Sequence, residues 1–337
     1  MDDQLQADVA SRFKKDGITI NAFSRLAGGA NNQIYRLDST NNQRFILKVY
    51  FADRFHRLAR EYGALQLFRQ NGINSVPRCV FKNDDLGYAV YSFEEGSLKT
   101  DQEMNRGDLS ELVDFIVNIQ KLTPPLKDFE NAITFSFSFS DYEDLVMTRL
   151  TAFLDSLNTA EINPRLKEFN DEVRAEELIK KKLKNIKDQL LKTNLPNEIS
   201  STDYRLSPED VGPHNMLFND GKKPIFIDFE CFGWDDPTRL IAVFLHHERS
   251  KHLSQEDKKY FLDTYYSSTS LPKRVTDRLI WSMKYIELDW IATLLQSMTP
   301  GKIKKRSFSL PDFDKEKYVE EQINKIRDRL AQLNNAQ

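Results

Sequence analysis

Cysteine is scarce in this 337-residue sequence, and its scarcity excludes two kinds of architecture. The two cysteines, Cys79 and Cys231, are too few and too far apart for a disulfide framework or a metal cluster. Apolar runs are also short, and none approaches the 18 residues that would suggest a segment spanning a bilayer. The first 17 residues lack the apolar core of a signal peptide, so we expect a cytoplasmic protein without a membrane segment.

Neither sign of charge is in excess. The chain has 48 basic and 51 acidic residues, a net charge of −3 with histidine neutral, which gives no reason to expect nucleic acid or an anionic membrane as partner. Hydrophobic residues make up 40% and charged residues 29%, which is ordinary for a folded protein with a sizeable core. The length predicts about two domains or one two-lobed unit.

The order of periodic patterns predicts an α+β protein with two lobes. Strand-like alternation occurs at 18–26, 33–38, 44–51, 76–81 and 87–93, around one helical pattern that starts near residue 53 and stops at Asn71-Gly72. After the hinge-like Glu94-Glu95-Gly96, helical patterns dominate, near 107–121, 141–156, 164–193, 255–267, 272–298 and 314–333. We expect a β-rich lobe at 1–95, a helical lobe at 96–337, and a loop with a basic cluster at 299–311.

Lys48 and Glu61 are a candidate ion pair. Lys48 lies in the middle of a mostly apolar strand, where an ammonium needs a nearby anion unless it faces solvent on a half-exposed sheet. Glu61 shares the inward stripe of the following helix with Ala64, Leu65 and Phe68, and inward carboxylates are rare unless paired. A strand lysine facing a helix glutamate is the pair with which protein-kinase-like enzymes hold the lysine against nucleotide phosphates. A helix-edge glutamate paired with Arg57 or Arg60 is the alternative.

A glycine-containing turn separates the first two predicted strands. Gly28-Gly29-Ala30-Asn31-Asn32 could expose backbone N–H groups to phosphates, as a loop covering a nucleotide does. The segment matches neither G-x-G-x-x-G nor a Walker A sequence, so a plain hairpin turn remains an alternative.

The segment from Asp210 to Asp228 carries the strongest chemical signal. Asp210 and Asn215 lie five positions apart in a loop containing glycine and proline, so the aspartate could face a substrate hydroxyl while the asparagine faces Mg²⁺. Asp228 ends a continuous apolar strand, where an uncompensated carboxylate is unfavourable. Oxygen ligands from Asn215 and Asp228, together with phosphate and water, suit an octahedral Mg²⁺ site. Ordinary turn residues at 210 and 215 are the alternative.

With these motifs the chain resembles the aminoglycoside phosphotransferase and choline kinase superfamily, over about residues 20 to 300. The resemblance implies a protein-kinase-like bilobal fold and transfer of the γ-phosphoryl group of ATP or GTP to a hydroxyl of a soluble small molecule. It implies Asp210 as the group that orients the hydroxyl and receives its proton, and Asn215 and Asp228 as Mg²⁺ ligands. Its implied nucleotide contacts are Gly28, Gly29, Asn31, Asn32, Lys48, Glu61, Tyr91, Phe93 and Glu94.

Two features of the sequence depart from the family pattern, and two properties of the protein stay open. The family has His-Gly-Asp at the catalytic aspartate, whereas this chain has Pro208-Glu209-Asp210, so a nucleotide-binding pseudokinase with a regulatory role is the alternative function. Arg239 stands where the family often has an acidic residue. The acceptor, such as an aminoglycoside, amino alcohol or sugar, is not specified by these motifs, nor is the oligomeric state. The candidate acceptor contacts are Glu230, Asp235, Glu287, Asp289 and Trp290; for the last three, a core tryptophan flanked by exposed acids is the alternative.

Overall fold

A computed structural model describes residues 2–26, 32–159, 163–219, 221–310 and 312–335. Its strands are β1 (Ile20–Leu26), β2 (Asn32–Ser39), β3 (Arg44–Tyr50), β4 (Cys79–Asn83), β5 (Tyr88–Ser92), β6 (Arg205–Ser207), β7 (Met216–Leu217), β8 (Ile225–Phe226) and β9 (Gly233–Asp235). Its helices are α1 (Asp3–Lys15), α2 (Arg57–Gln70), α3 (Arg106–Gln120), α4 (Phe139–Ser156), α5 (Pro164–Val173), α6 (Ala175–Leu190), α7 (Pro237–His246), α8 (Gln255–Ser268), α9 (Lys273–Thr276), α10 (Leu279–Ser297), α11 (Pro300–Ser309) and α12 (Lys315–Asn335).

The chain forms two compact units, and each draws on several segments. The first comprises Met1–Leu98, Asn215–Cys231 and Lys305–Asp312. The second comprises Lys99–His214, Phe232–Lys304 and Phe313–Gln337. The functional division predicted from the sequence, with nucleotide binding at 1–95 and acceptor binding at 96–337, stays a prediction.

An antiparallel sheet of five strands, in the order β1-β2-β3-β5-β4, is the centre of the first unit. One face carries an apolar core to which α1 contributes Leu5, Val9 and Phe13, and the sheet contributes Leu47 and its neighbours. Because side chains alternate along a strand, Lys48 points to the opposite face, where α2 buries Ala64, Leu65 and Phe68. In the central strand β3, Lys48 lies opposite Ile34 of β2 and Ala89 of β5.

Two later segments complete the first unit. The β7–β8 hairpin joins it through hydrogen bonds between Ser97 and Phe218, both 2.9 Å, and from the Phe226 N–H to the Ser75 carbonyl, 2.8 Å. The segment from Lys305 places the Phe308 ring against Phe51. The first unit therefore needs residues from three separate parts of the sequence.

Helices make up most of the second unit. The long helix α10 packs against α4, α7 and α12, and buries residues such as Tyr285, Ile286 and Leu295. A small antiparallel pair, β6 with β9, places Ser207 opposite Gly233 and precedes the Asp210 loop. None of the helices among the described residues combines the length and apolar character that a membrane crossing requires.

Several predicted elements were wrong in extent or kind. The predicted helix at 164–193 is two helices, because Arg174 adopts a left-handed conformation with φ of 49° between α5 and α6. The pattern at 272–298 likewise divides into α9 and α10. The segment predicted as a loop at 299–311 contains α11, which begins with Pro300 at its first position, where a missing N–H costs no intrahelical bond.

Two further helices were not predicted. The first, α1, begins after Asp2, whose carboxylate accepts from the N–H groups of Gln4 and Leu5. The second, α7, begins after Asp236, whose carboxylate accepts from the Thr238 N–H. The first unit thus has helices on both faces of its sheet, whereas the sequence predicted one helix in that region.

Candidate functional site

Lys48 lies among three carboxylates in the first unit. Its Nζ is 2.6 Å from Glu61 Oε2, 2.6 Å from Asp228 Oδ1 and 4.0 Å from Glu230 Oε2. Burial opposes the charge on Lys48, but the carboxylates outweigh it and raise the pKa of Lys48 above its ordinary value. The ammonium is therefore buried, charged and paired. The solvent-facing alternative is excluded, and the predicted ion pair with Glu61 is present.

Glu61 is held by a second donor that sequence reasoning missed. Tyr50, which shares the Lys48 face of β3, donates its hydroxyl proton to Glu61 Oε2 over 2.6 Å, and its oxygen is 2.8 Å from the Tyr91 hydroxyl. Burial raises the pKa of Glu61, and the Lys48 ammonium lowers it. The effect of burial is the larger one, because Lys48 is shared with Asp228. Burial and the Glu61 carboxylate raise the pKa of Tyr50, so its hydroxyl stays a donor. The spacing of two residues from Lys48 was the signal for Tyr50.

Asn215 and Asp228 come together at the base of the β7–β8 hairpin. Asn215 immediately precedes β7, and its carbonyl accepts from the Ile227 N–H over 3.0 Å, next to Asp228. Asp228 has a left-handed φ of 68°, a conformation that aspartate tolerates better than most residues. Its side chain is 37% exposed while that of Lys48 is 6% exposed. An amide and a carboxylate are hard oxygen donors of the kind Mg²⁺ prefers, so the residues present fit that ion.

Glu230 is a buried member of an ion-pair chain. Its carboxylate accepts from Arg57 Nη1 at 2.7 Å and from the Asn32 side-chain amide. Arg57 also pairs with Asp53 over 2.9 Å, and Asp53 pairs with Lys305 of α11 over 3.0 Å. Arg57 therefore pairs with residues other than Glu61, which removes it from the alternative partners considered for that glutamate. An acceptor contact by Glu230 stays a prediction.

The remaining nucleotide candidates lie beside β5 or outside the described residues. The Tyr91 side chain is buried by its contact with Tyr50, and the Phe93 ring lies 4.6 Å below the Arg44 guanidinium. Glu94 accepts from the Ser92 hydroxyl over 2.5 Å. The nucleotide contacts that the resemblance implies for these three residues stay predictions. The predicted phosphate contacts Gly28, Gly29 and Asn31 fall outside the described residues.

The Asp210 loop of the second unit is anchored by the residue before it. Glu209 has a left-handed φ of 66°, the conformation that glycine adopts at least cost, which fits the glycine of the family pattern at this position. Its carboxylate accepts from the Thr134 N–H at 2.9 Å and from the Thr134 hydroxyl at 2.6 Å. The non-glycine residue is thus compensated by two hydrogen bonds.

Asp210 faces two histidines that sequence reasoning did not select. His214 Nε2 is 3.1 Å from Asp210 Oδ1 and 3.2 Å from Oδ2, and His247 Nε2 is 3.8 Å from Oδ1. The Asp210 side chain remains 43% exposed. Burial lowers the pKa of His247 to about 4, so this imidazole is neutral near pH 7. His214 could have been found from its place between Asp210 and Asn215, whereas no local pattern marks His247.

The candidate acceptor residues differ in their surroundings. Asp235 is fully buried, accepts from the Ser136 and Asp236 N–H groups and pairs with Arg239 at 3.3 Å. Burial raises the pKa of Asp235 to about 7, although Arg239 opposes the rise. Asp289 is buried in an ion pair with Arg149. Arg239, a departure from the family pattern, is thus a structural partner of Asp235, and the acceptor roles of both aspartates stay predictions.

Trp290 and Glu287 lie on neighbouring turns of α10. The Trp290 and His247 rings are nearly perpendicular with centroids 4.8 Å apart, and the Arg329 guanidinium covers the tryptophan ring at 5.4 Å. Glu287 lines a cavity of about 900 Å³ bounded by α7, α8, α10 and α12, and burial raises its pKa. Trp290 contacts His247, which faces Asp210, whereas Glu287 lies in the cavity, and the contact of either residue with an acceptor stays a prediction.

Comparison with known proteins connects this arrangement to one family. Residues 22–267 match the sequence profile of the phosphotransferase enzyme family. No curated protein matches the chain by sequence. The resemblance predicted from the sequence is confirmed by the profile match.

Solved structures share the fold at low sequence identity. A spectinomycin phosphotransferase, APH(9)-Ia, in complex with ADP and spectinomycin has a TM-score of 0.65 and 14% identity, covering 96% of this chain and 98% of its own. The streptomycin–ATP–APH(2")-IIa ternary complex has a TM-score of 0.59 and 14% identity, with coverage of 95% and 99%. Choline kinase LicA from Streptococcus pneumoniae has a TM-score of 0.60 and 14% identity, with coverage of 98% and 99%. The predicted protein-kinase-like α+β fold is confirmed.

Proposed function

The chain belongs to the phosphotransferase enzyme family and is a phosphotransferase with an alcohol group as acceptor; from this premise we propose that it is an ATP- or GTP-dependent kinase of a small soluble metabolite. Its donor would bind the first unit and its acceptor the second. Two solved neighbours were determined with ADP or ATP, and nucleotide binding by this chain is proposed by analogy with them. The observation that carries it for this chain is the position of Lys48 between Glu61 and Asp228.

Lys48 would bind the α- and β-phosphates of the nucleotide. A buried ammonium held at 2.6 Å by a helix carboxylate is oriented before the ligand arrives, so little conformational freedom is lost on binding. The Tyr50 hydroxyl fixes the same carboxylate and prevents it from following the ammonium. Nucleotide phosphates would replace the Asp228 carboxylate as the second anionic partner of Lys48.

Asn215 and Asp228 would hold Mg²⁺. Of the three carboxylates around Lys48, that of Asp228 is the most exposed. It can therefore leave the ammonium and bind a cation without burying new charge. When bound, Mg²⁺ supplies neutralisation of charge on the β- and γ-phosphates. The hydrogen bond from the Ile227 N–H to the Asn215 carbonyl keeps Asn215 close to Asp228 in the hairpin, which supports Asn215 as the second ligand.

Asp210 would position the acceptor hydroxyl and receive its proton. The acceptor oxygen bonds to the γ-phosphorus, the bond from that phosphorus to the bridging oxygen breaks, ADP or GDP leaves, and the hydroxyl proton passes to Asp210. Its partial exposure leaves room for a hydroxyl to approach one carboxylate oxygen. Positioning and charge neutralisation would supply most of the catalysis.

The acceptor is an aminoglycoside, amino alcohol or sugar in this proposal, and Glu287 with Trp290 favours one bearing an amine. The raised pKa of Glu287 means that its carboxylate gains from a cationic partner in the cavity it lines. The Arg329 guanidinium already lies over the Trp290 ring, so an acceptor ammonium would have to replace Arg329 there. A spectinomycin phosphotransferase and a choline kinase are among the structural neighbours.

A thermal-shift and product-release screen tests the proposal. We expect MgATP or MgGTP near 100 times its dissociation constant to stabilise the protein by about 3 kcal/mol, and one acceptor class to release ADP or GDP. Asp228→Ala should abolish the metal-dependent part of the shift, while Asp84→Ala, an exposed acid of the same unit, should retain it. No shift with either nucleotide and any divalent metal would refute nucleotide binding. A shift without turnover for any acceptor would favour the pseudokinase.

A further inference from the structure

We propose that His214 and His247 form a stacked imidazole clamp that positions the Asp210 carboxylate by presenting two N–H groups to it. The inference rests on the proposed role of Asp210 and adds two positioning residues to it. The cluster consists of these three residues, whose ligand atoms all lie within 4.8 Å of one another. Which ring nitrogen of each histidine carries the proton determines whether the histidine can donate a hydrogen bond to Asp210.

The proton of His247 is placed by the backbone. The Arg249 N–H donates to His247 Nδ1 over 2.9 Å, so that nitrogen must carry a lone pair. In a neutral imidazole the proton then resides on Nε2, the nitrogen that faces Asp210 at 3.8 Å. At this distance the group acts as an oriented dipole, and a small movement would make it a hydrogen-bond donor.

The proton of His214 is placed by what surrounds its ring. Its Nδ1 is buried and has no hydrogen-bond partner among the described residues, whereas Nε2 lies within 3.2 Å of both Asp210 oxygens. A proton on Nδ1 would leave a buried donor unpaired and would turn a lone pair toward a carboxylate. The favourable tautomer therefore donates from Nε2, and the unpaired Nδ1 is the cost of that geometry.

Packing fixes the orientation of both rings. The imidazoles are parallel within 6°, with centroids 4.5 Å apart, and the Trp290 ring packs against His247 at 85° with centroids 4.8 Å apart. A Cβ added at Gly212 would lie 3.2 Å from the His214 ring, so glycine leaves the room this ring needs. Neither imidazole can turn without displacing the other, and this coupling is what makes the pair a clamp.

A transition-metal site is the competing interpretation of the same three residues. A carboxylate with two imidazoles is a familiar ligand set for such ions, and the distances are compatible with it. Metal binding through His247 Nε2, however, requires the proton to move to Nδ1, where it would face the Arg249 N–H. The backbone thus favours a donor over a ligand, and metal affinity becomes a way to refute the proposal.

The decisive experiment combines side-chain variants with a measurement on the wild-type protein. We expect His214→Leu to lower the single-turnover rate and kcat about 10- to 100-fold while nucleotide affinity changes less than twofold. His214→Gln should recover most of the rate, because its amide can donate from nearly the same place. His247→Leu should give a smaller loss of the same kind, and His247→Gln should again restore it.

Nitrogen NMR of the ligand-free wild type supplies the independent test. In their neutral forms both histidines should carry the proton on Nε2; a neutral Nδ1–H tautomer for either would overturn the clamp even if the enzyme is active. Leucine and glutamine variants with equal rates, or rate losses matched by equal losses in nucleotide affinity, would also overturn it. So would Zn²⁺ binding at micromolar concentration that His247→Leu removes. If no acceptor is phosphorylated by the wild type, the proposed function fails while the tautomer measurement still decides the donor geometry.

Discussion

Replacing Lys48 by methionine would test how strongly the first unit depends on one buried cation. The substitution keeps an unbranched side chain of similar length but removes the ammonium between Glu61 and Asp228. Glu61 is 4% exposed, so its ionised carboxylate would be left without a compensating cation. Removing one partner of a buried ion pair typically costs about 3–5 kcal/mol.

Protonation of Glu61 sets a limit to this cost. An unfolded glutamate has a pKa of about 4.3, so forcing it to bind a proton at pH 7 costs about 4 kcal/mol, and at pH 5 about 1 kcal/mol. In the variant the folded pKa of Glu61 lies above the unfolded one, so the folded state binds a proton that the unfolded chain releases. Between pH 5 and pH 7 the stability of Lys48→Met should therefore fall by up to about 3 kcal/mol more than that of the wild type.

Urea unfolding at both pH values measures this effect. The double variant Lys48→Met/Glu61→Gln has no carboxyl to protonate at this position, so most of the stability should return and the added pH dependence should vanish. Lys82→Met is a matched control, because Lys82 pairs with the exposed Asp84 and should change stability by at most about 1 kcal/mol at either pH. A loss that is the same at pH 5 and pH 7, or that the double variant does not relieve, would refute the reasoning.

Three further predictions concern the second unit. Asp210→Asn should leave nucleotide affinity nearly unchanged and lower single-turnover transfer about 10²-fold or more; equal rates would remove Asp210 from the mechanism. Burial lowers the pKa of His246 to about 4, so the wild type should lose up to about 3 kcal/mol of stability as the pH falls from 6.5 toward 4. His246→Gln should reduce this loss, because glutamine does not bind a proton in that range. Urea midpoints across that range would check it, and an unchanged slope would contradict it. Arg278→Met should destabilise the protein by about 3–5 kcal/mol, because it leaves the buried Asp236 carboxylate without its cation. Arg106→Met removes an exposed pair and should have little effect. Equal thermal unfolding of the two variants would count against the Arg278–Asp236 ion pair.

Local periodicity was sufficient to predict much of the first unit. The alternation in β3 put Lys48 on the face opposite Leu47, and the helical stripe of α2 put Glu61 beside Ala64, so their meeting followed from two local patterns. The Asn71-Gly72 stop was also correct, since Gly72 has a left-handed φ of 78° after α2. The strands agreed with the predicted segments within a few residues because each has turn-forming residues on both sides.

Features set by distant contacts could not be predicted. The segment of α11 has few apolar residues, and its contacts with the first unit come from Lys305 with Asp53 and from the Phe308 and Ser309 carbonyls with Arg25. His247 meets Asp210 only because α7 ends beside the loop, and nothing in its neighbouring residues signals that meeting. The bend at Arg174 required a left-handed arginine, which propensity alone disfavours.

Other positions carried a local signal that was not used. Asp236-Pro237 is a helix start of the usual kind, with a capping aspartate before a proline, and α7 begins there. Asp2 with the apolar stripe Leu5, Val9 and Phe13 likewise indicates α1. Both helices could have been found from the sequence.

The ion-pair chain of the first unit also bears on how the protein is made. Arg57 meets Glu230, 173 positions later, and Asp53 meets Lys305, 252 positions later. At about 5–20 residues per second, a ribosome needs roughly 10–50 s to make the residues between Asp53 and Lys305. Through that interval Asp53 and Arg57 can pair only with each other, because Glu230 and Lys305 complete the ion-pair chain later, while the helices that follow residue 99 can already form on local contacts. The first unit, whose strands are synthesised first, is thus completed only after Lys305–Asp312 has been added, and until then its unfinished form is exposed to proteolysis and aggregation.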